Sequence, residues 1–235
     1  MFKRILLKLS GESLAGETKQ GIDTERLAEY AEQVKRIAQR GVQVGIVIGG
    51  GNIFRGLRGQ DRGFGRAEGD NMGMLATMIN SLALVSALNA SGVPATCLAA
   101  RAMPAIAELF TFRRAIELLE AGQVVVLGGG SGAPFFTTDS AAALRAAEIG
   151  AEVLLKATKV DGIYTADPVK DPTATKFDRL TYSEALARRL KVMDSTAFSL
   201  CMDNRIPILV FDFFKPGELL KVVRGQKAGT LVAGD

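Results

Sequence analysis

The 235-residue sequence contains no histidine. That absence excludes Ser-His-Asp and Cys-His catalysis, imidazole zinc sites, a histidine general base and a phosphohistidine carrier. Chemistry must then run on Lys, Arg, Asp, Ser or Thr, backbone N–H groups or a hard metal. Cysteine is scarce as well. Cys97 and Cys201 sit far apart in apolar stretches with no C-x-x-C spacing, so they read as buried free thiols, which fits a reducing compartment. Neither G-x-x-x-x-G-K-[ST] nor G-x-G-x-x-G occurs, which argues against a Walker-type NTPase and a dinucleotide fold. No internal repeat is evident. No run of about 18 uncharged apolar residues stands out, so no transmembrane helix is expected. Lys8 breaks the first apolar run before a signal-peptide core forms, and the expected location is the cytoplasm. Charge excess is small: 29 basic against 25 acidic residues leave net +4, which suits anionic small molecules and does not require nucleic acid.

Apolar residues make up 48% of the chain, and 26 residues are glycine. A chain of this size fits one domain, or two small lobes sharing a sheet, burying about 70% of its unfolded surface and leaving about 10,000 Å² exposed. Short apolar runs alternate with helical patterns. Strands are expected at 4–9, 42–48, 95–98, 123–127, 152–157, 206–211 and 230–232. Helices are expected at 24–40, 71–90, 112–121, 140–149 and 216–223. Asp23 reads as an N-cap, Gly41 as a stop, and Thr181 with Glu184 as a capping box opening a helix to Leu190. The alternation implies an α/β fold, a mostly parallel sheet covered on both faces. The 71–90 helix is apolar almost all round and belongs in a core or at a subunit interface.

Glycines cluster where strands are expected to end: Ser10-Gly11, Gly49 to Gly51, and Gly128 to Gly132. The carboxyl edge of an open parallel sheet is where ligands bind, and glycine lets N–H groups approach an anion closely. Three such loops on one edge fit two phosphorylated ligands side by side. Lys8 and Lys156 each interrupt an apolar strand near its carboxyl end. A buried ammonium calls for a compensating anion, and phosphoryl transfer needs positive charge around the moving group. Asp139, Asp161, Asp167 and Asp194 fall in or beside loops after strands and could position lysines or meet nucleotide-chelated magnesium. Taken singly they are ordinary caps or loop residues, and Asp139 would cap the 140–149 helix. Asp70, at the start of the long apolar helix, would cap it or grasp a ligand hydroxyl. Arg55, Arg58, Arg62 and Arg66, interleaved with glycine, read as a phosphate-reaching loop or as a short RNA-binding tract.

These residues carry a resemblance. The segments RILLKLSGES (4–13), VIGGGNIFR (47–55), GDNMGMLAT (69–77), SGAPFFTTD (131–139) and KATKVDGIYTADP (156–168) look like those of the bacterial UMP kinases, of the amino-acid kinase superfamily. The match runs in order along essentially the whole chain. The resemblance implies a three-layer α/β sandwich in one domain, 1–235, with a UMP-binding side in 1–150 and an ATP-binding side in 151–235. It implies transfer of a phosphoryl group from ATP to UMP with Mg²⁺, without direct protein ligation of the metal. It also implies a homohexamer with GTP and UTP as effectors. By the family pattern Lys8, Leu9, Ser10, Gly11, Gly51, Arg55, Thr158, Tyr164 and Asp167 meet ATP, with Lys8 on the transferring phosphoryl. Gly50, Asp70, Ser131, Gly132, Ala133, Pro134, Phe135, Phe136, Thr137 and Thr138 hold UMP, with Asp70 on the ribose. Lys156, Asp139 and Asp194 join Lys8 as catalytic candidates. Ser131 and Ala133 stand where relatives often carry Thr and Asn, so one hydroxyl is kept and one amide lost. Another superfamily phosphotransferase and an RNA-binding regulator built on 55–66 are the alternatives.

Overall fold

The computed structural model describes residues 1–18, 20–54, 63–188, 190 and 192–234. In chain order the elements are β1 (Arg4–Leu9), a 3-10 segment (Gly11–Thr18), α1 (Thr24–Ala38), β2 (Gln43–Ile48), α2 (Arg66–Ala90) and β3 (Ala95–Ala99). Then follow β4 (Glu108–Leu109), α3 (Phe112–Glu120), β5 (Val124–Gly128), α4 (Thr138–Glu148) and β6 (Val153–Thr158). The hairpin β7 (Ile163–Tyr164) and β8 (Lys176–Phe177) precedes β9 (Arg179–Thr181), α5 (Tyr182–Ala187) and α6 (Ser195–Asp203). The chain closes with β10 (Ile208–Asp212), α7 (Glu218–Val223) and β11 (Thr230–Ala233).

Nine strands form one sheet in the order β4-β3-β5-β2-β1-β6-β10-β11-β9. Among the described residues of this sheet, only the β10–β11 pair is antiparallel. Strand alternation sorts the side chains into two cores. Ile5, Leu7 and Leu9 pack under α1, α2 and α7 with Val34, Leu84 and Val222. Leu6 and Leu154 pack under α3 to α6 with Leu118, Ala142 and Phe198. The result is the expected helix–sheet–helix sandwich, with 11,356 Å² exposed. Tyr30 lies edge-on to Phe213, with centroids 4.7 Å apart, and anchors α1 to the loop after β10.

Several expectations shift. Helix α2 starts at Arg66 rather than Asn71, because Arg-Ala-Glu is good helix material once the extended Gly65 opens it. Asp70 is therefore in the second turn and is not a cap. Helix α4 is capped by Thr137, whose hydroxyl accepts from the Asp139 and Ser140 N–H groups, so Asp139 lies inside the first turn instead of capping it. Helix α7 begins at Glu218 after Gly217, not at Pro216. Helix α5 ends at Ala187, short of Leu190. Helix α6 was not anticipated. Asp23 does cap α1, and Gly41 turns the chain at φ 79° just past its end.

The expectation of no transmembrane helix bears on α2. Residues 66–90 form one helix long and apolar enough to cross a membrane by length and composition, with mean hydropathy 1.4 over its best window. It packs instead against β3 and β5, and Thr77, Asn80 and Ser81 lie buried along its middle. Asn80 Nδ2 donates to Gly49 O and to Asn52 Oδ1, both at 2.7 Å. These bonds hold the helix on the glycine loop after β2, so its apolarity is that of a core helix.

Candidate active site

The register of β1 on β6 sets Lys8 directly beside Lys156. Both lie on the face that carries Leu6 and Leu154, the face covered by α4. Two ammonium groups on adjacent strands repel each other. Asp139, in the first turn of α4, lies between them. Lys8 Nζ is 2.9 Å from Asp139 Oδ1, and Lys156 Nζ is 2.8 Å from Oδ2, with all three side chains largely buried. At an effective dielectric near 20 each pair attracts by roughly 4 kcal/mol, so Asp139 offsets the repulsion between the two ammonium groups. Burial by itself would raise the Asp139 carboxyl, but the two ammonium groups hold it below its ordinary value. Burial depresses Lys156 below the usual lysine range, with Lys8 acting the same way and Asp139 opposing.

The two lysines are not equivalent. Lys156 donates to Asp139 Oδ2 and to the Val192 carbonyl. Lys8 meets Asp139 Oδ1 as an ion pair without hydrogen-bond alignment, which leaves that buried oxygen without an aligned donor among the described residues. Lys8, unlike Lys156, lines the large cavity at the carboxyl edge of the sheet. The triad carries net +1, and Lys8 faces the space where a ligand would sit.

That cavity measures about 530 Å³. Its floor is Lys8, Ser10, Gly11 and Gly49 to Gly51, from the ends of β1 and β2. One wall is Asp70, Gly73, Met74 and Thr77, a single face of α2. The opposite wall is Gly130, Ser131, Ala133 and Phe136 to Thr138, from the loop between β5 and α4. Glycine is required at its tightest points. A Cβ on Gly11 would lie 2.1 Å from Gly49 O, and one on Gly50 would lie 2.7 Å from Ala76 Cβ and 2.9 Å from Gly73 O. Gly129 and Gly130 adopt φ 81° and 61°, and Thr77 Oγ1 accepts from Gly129 N at 2.9 Å, tying the third loop to α2. Phe54, Met74, Gly73, Thr77 and Glu12 join the lining without having been singled out. Asp70, Gly73, Met74 and Thr77 recur at three- and four-residue spacing, so the helical period could have found that face.

Other candidates fall elsewhere. The Leu9 side chain is fully buried under α1, so only its backbone can reach a ligand. Gly132, Pro134 and Phe135 lie on the β5–α4 loop but do not line the cavity. Asp194 is committed to structure: it accepts from Ala197 N at 2.8 Å as the cap of α6, from Ser140 Oγ at 2.9 and 3.0 Å, and from the Thr137 hydroxyl. It braces the start of α4 on α6 and so acts behind Asp139. Thr158, Tyr164 and Asp167 lie outside this cavity, along the end of β6 and the turns beyond it. Thr158 Oγ1 donates to Val160 O at 2.6 Å, and Tyr164 OH donates to Asp161 Oδ1 at 2.6 Å. The Tyr164 hydrogen bond, ahead of Lys176, lowers the Asp161 carboxyl. Asp167 Oδ1 accepts from Val169 N at 3.0 Å in a local turn. Arg55, Arg58 and Arg62 lie outside the described residues. Cys97 and Cys201 are buried free thiols, pushed up by burial to about 11 and about 12.

A parallel sheet whose carboxyl edge gathers glycine loops and an ammonium-rich triad defines a class, the α/β proteins that bind and transfer phosphoryl groups. The chain belongs to the amino acid kinase family, whose model matches residues 3–212, and within it to the uridylate kinases. It is 61% identical over 231 residues to the uridylate kinase of Bacteroides thetaiotaomicron, covering 98% of both chains. It is 62% identical to that of Parabacteroides distasonis, with the same coverage. The crystal structure of UMP kinase from Bacillus anthracis superposes with a TM-score of 0.96 at 38% identity, over 100% of this chain and 97% of that one. UMP kinase from Ureaplasma parvum superposes at 0.93, over 99% of each chain.

Proposed function

We propose that this chain transfers the γ-phosphoryl group of ATP to UMP, giving UDP and ADP. The observation that carries the reading is the Lys8–Asp139–Lys156 triad, whose Lys8 lies in the floor of a cavity built from three glycine loops. The two nucleotides bring roughly six negative charges to one edge, since a phosphomonoester carries about −1.5 to −2. Glycine-loop N–H groups and Lys8 offset them. An oxygen of the UMP phosphate attacks the γ-phosphorus in line, and Lys8 stabilises charge on the transferring group. No strong base is needed, which suits a chain without histidine. Asp139 fixes the Lys8 ammonium, Lys156 fixes Asp139, and Asp194 fixes the helix that carries Asp139.

UMP is assigned to the side formed by Asp70 and residues 131–138, within 1–150. The adenosine end of ATP is assigned to Thr158, Tyr164 and Asp167, within 151–235. Both sides share one continuous sheet. Magnesium is assigned to the ATP phosphates. Among the described residues no group of three metal-ligating side chains converges, and both Asp139 oxygens face ammonium groups. This donor set fits an ion held by phosphate and water. Bound there, it would neutralise phosphate charge. A cytoplasmic location accords with two unpaired thiols.

Self-association, with a hexamer as the expected size, draws support from Leu75, Ile79 and Leu82, which leave an apolar stripe exposed on α2. Control by GTP and UTP belongs to the same reading and is tested by adding each to the assay at subsaturating UMP. An RNA-binding role has less support, because Arg66, the described arginine of the 55–66 tract, is engaged by Asp70.

The deciding assay couples ADP release to each of UMP, CMP, AMP and small amino or acyl acids. Turnover is expected with UMP foremost. Turnover confined to an amino acid or a carbamate would overturn the assignment.

A further inference from the structure

Arg66 and Asp70 form an ion pair in the first turns of α2 that runs against the helix. Arg66 Nε lies 2.8 Å from Asp70 Oδ2. A cation in the first turn faces the positive end of the helix dipole, and an acid is favoured N-terminal to its basic partner, not C-terminal. The pair is therefore poorly explained as a device for stabilising α2. Its other contacts point to the ligand cavity. Asp70 lines that cavity, and its Oδ2 also accepts from the Phe135 N–H at 2.8 Å. The Arg66 guanidinium lies 5.7 Å from the Phe135 ring centroid. Phe135 has φ 72°, a left-handed conformation uncommon for a bulky non-glycine residue, and it is exposed. Arg66, Asp70 and Phe135 thus close a ring between α2 and the loop that runs from β5 to α4. Among the described residues both bonds to Asp70 use Oδ2, leaving Oδ1 for an incoming donor.

We infer that Arg66 is a positioning residue that sets sugar selectivity: it fixes the Asp70 carboxylate so that one oxygen meets the hydroxyls of the nucleoside monophosphate, and it holds the 131–138 loop against them. This rests on the assignment of Asp70 to the sugar. Freed from Arg66, the carboxylate gains rotamers and loses its orientation toward a vicinal diol. A substrate without the 2′-hydroxyl makes fewer demands on that orientation and loses less.

The test compares UMP with dUMP as acceptors for wild type and the variants Arg66→Gln, Arg66→Lys and Asp70→Asn, with thermal unfolding of each. In Arg66→Gln the KM for UMP is expected to rise about tenfold with kcat within about twofold, the scale of one charge-assisted hydrogen bond. The ratio of kcat/KM for UMP over dUMP should fall several-fold, and Arg66→Lys should restore part of it. Asp70→Asn should lower the same ratio. Equal losses for UMP and dUMP in Arg66→Gln, with Asp70→Asn still shifting the ratio, would overturn the role of Arg66 and leave the sugar assignment standing. An unchanged ratio in Asp70→Asn would overturn both.

Discussion

Replacing Lys8 with alanine removes the one triad ammonium that faces the cavity, while Asp139 keeps Lys156. Loss of a preorganised charge at a transferring group costs about 10²–10³ in kcat. Lys8→Ala should lose that much with its circular dichroism unchanged, and near-normal turnover would refute the role. Asp139→Asn does the opposite to the fold, since it leaves two ammonium groups side by side. Breaking a buried ion pair from one side costs about 3 kcal/mol or more, which a shift in the denaturant midpoint would report. Ionised Asp139 sits below its ordinary value of 3.8, so its stabilisation is complete above 3.8 and disappears as pH falls through the lowered folded value. Lys156 sits below its ordinary 10.5. Between that lowered value and 10.5 the unfolded chain holds the proton that the native chain has released, so stability rises with pH there. The charge that braces Asp139 is lost over the same interval. The alkaline limb of kcat/KM is therefore expected below 10.5, and Lys156→Arg should move it upward.

Gly50 marks where β2 ends against α2. An alanine there would press its methyl into Ala76 and into the Gly73 carbonyl, both under 3 Å away. Helix α2 would have to withdraw at a cost of about 1–3 kcal/mol, carrying Asp70 with it. Gly50→Ala is expected to lower the melting temperature and weaken UMP binding together, measured by thermal shift with and without UMP. The strands meeting at this edge were legible because strands buried on both faces leave near-continuous apolar runs, with Lys8 and Lys156 as the visible interruptions. Much of the cavity was legible too, since the glycine loops follow those strands directly. Other features were not. Thr137, Thr138 and Asp139 are all cap-forming residue types in succession, and only the chain path selects Thr137. Asp194 looked like a site carboxylate because helix α6, which it caps, is short and went unread. Strands β4, β7 and β8 have two residues each, too few to show a period. Leu75, Ile79 and Leu82 fit a core or a subunit interface alike, and nothing local distinguishes an exposed apolar stripe from a buried one.

That stripe is the surface proposed for contact between copies of the chain. Light scattering is expected to give a mass several times 24.9 kDa, and Ile79→Glu should lower it by placing a charge at the stripe's centre. A monomeric wild-type chain would count against self-association through α2. Within one copy, the pairing of β1 with β6 has a consequence for how the protein is made. Strand β1 lies inside the sheet between β2 and β6, and Lys8 pairs with Lys156 across nearly 150 residues of chain. During synthesis β2 emerges early and covers one side of β1. The other side stays an open, apolar edge until β6 leaves the ribosome, because so distant a pairing forms late. The two lysines are thus brought side by side only once β6, ending at Thr158, has emerged. A one-residue slip in that pairing would turn Lys156 into the core under α1, so a chain with its register wrong would be unstable as well as inactive.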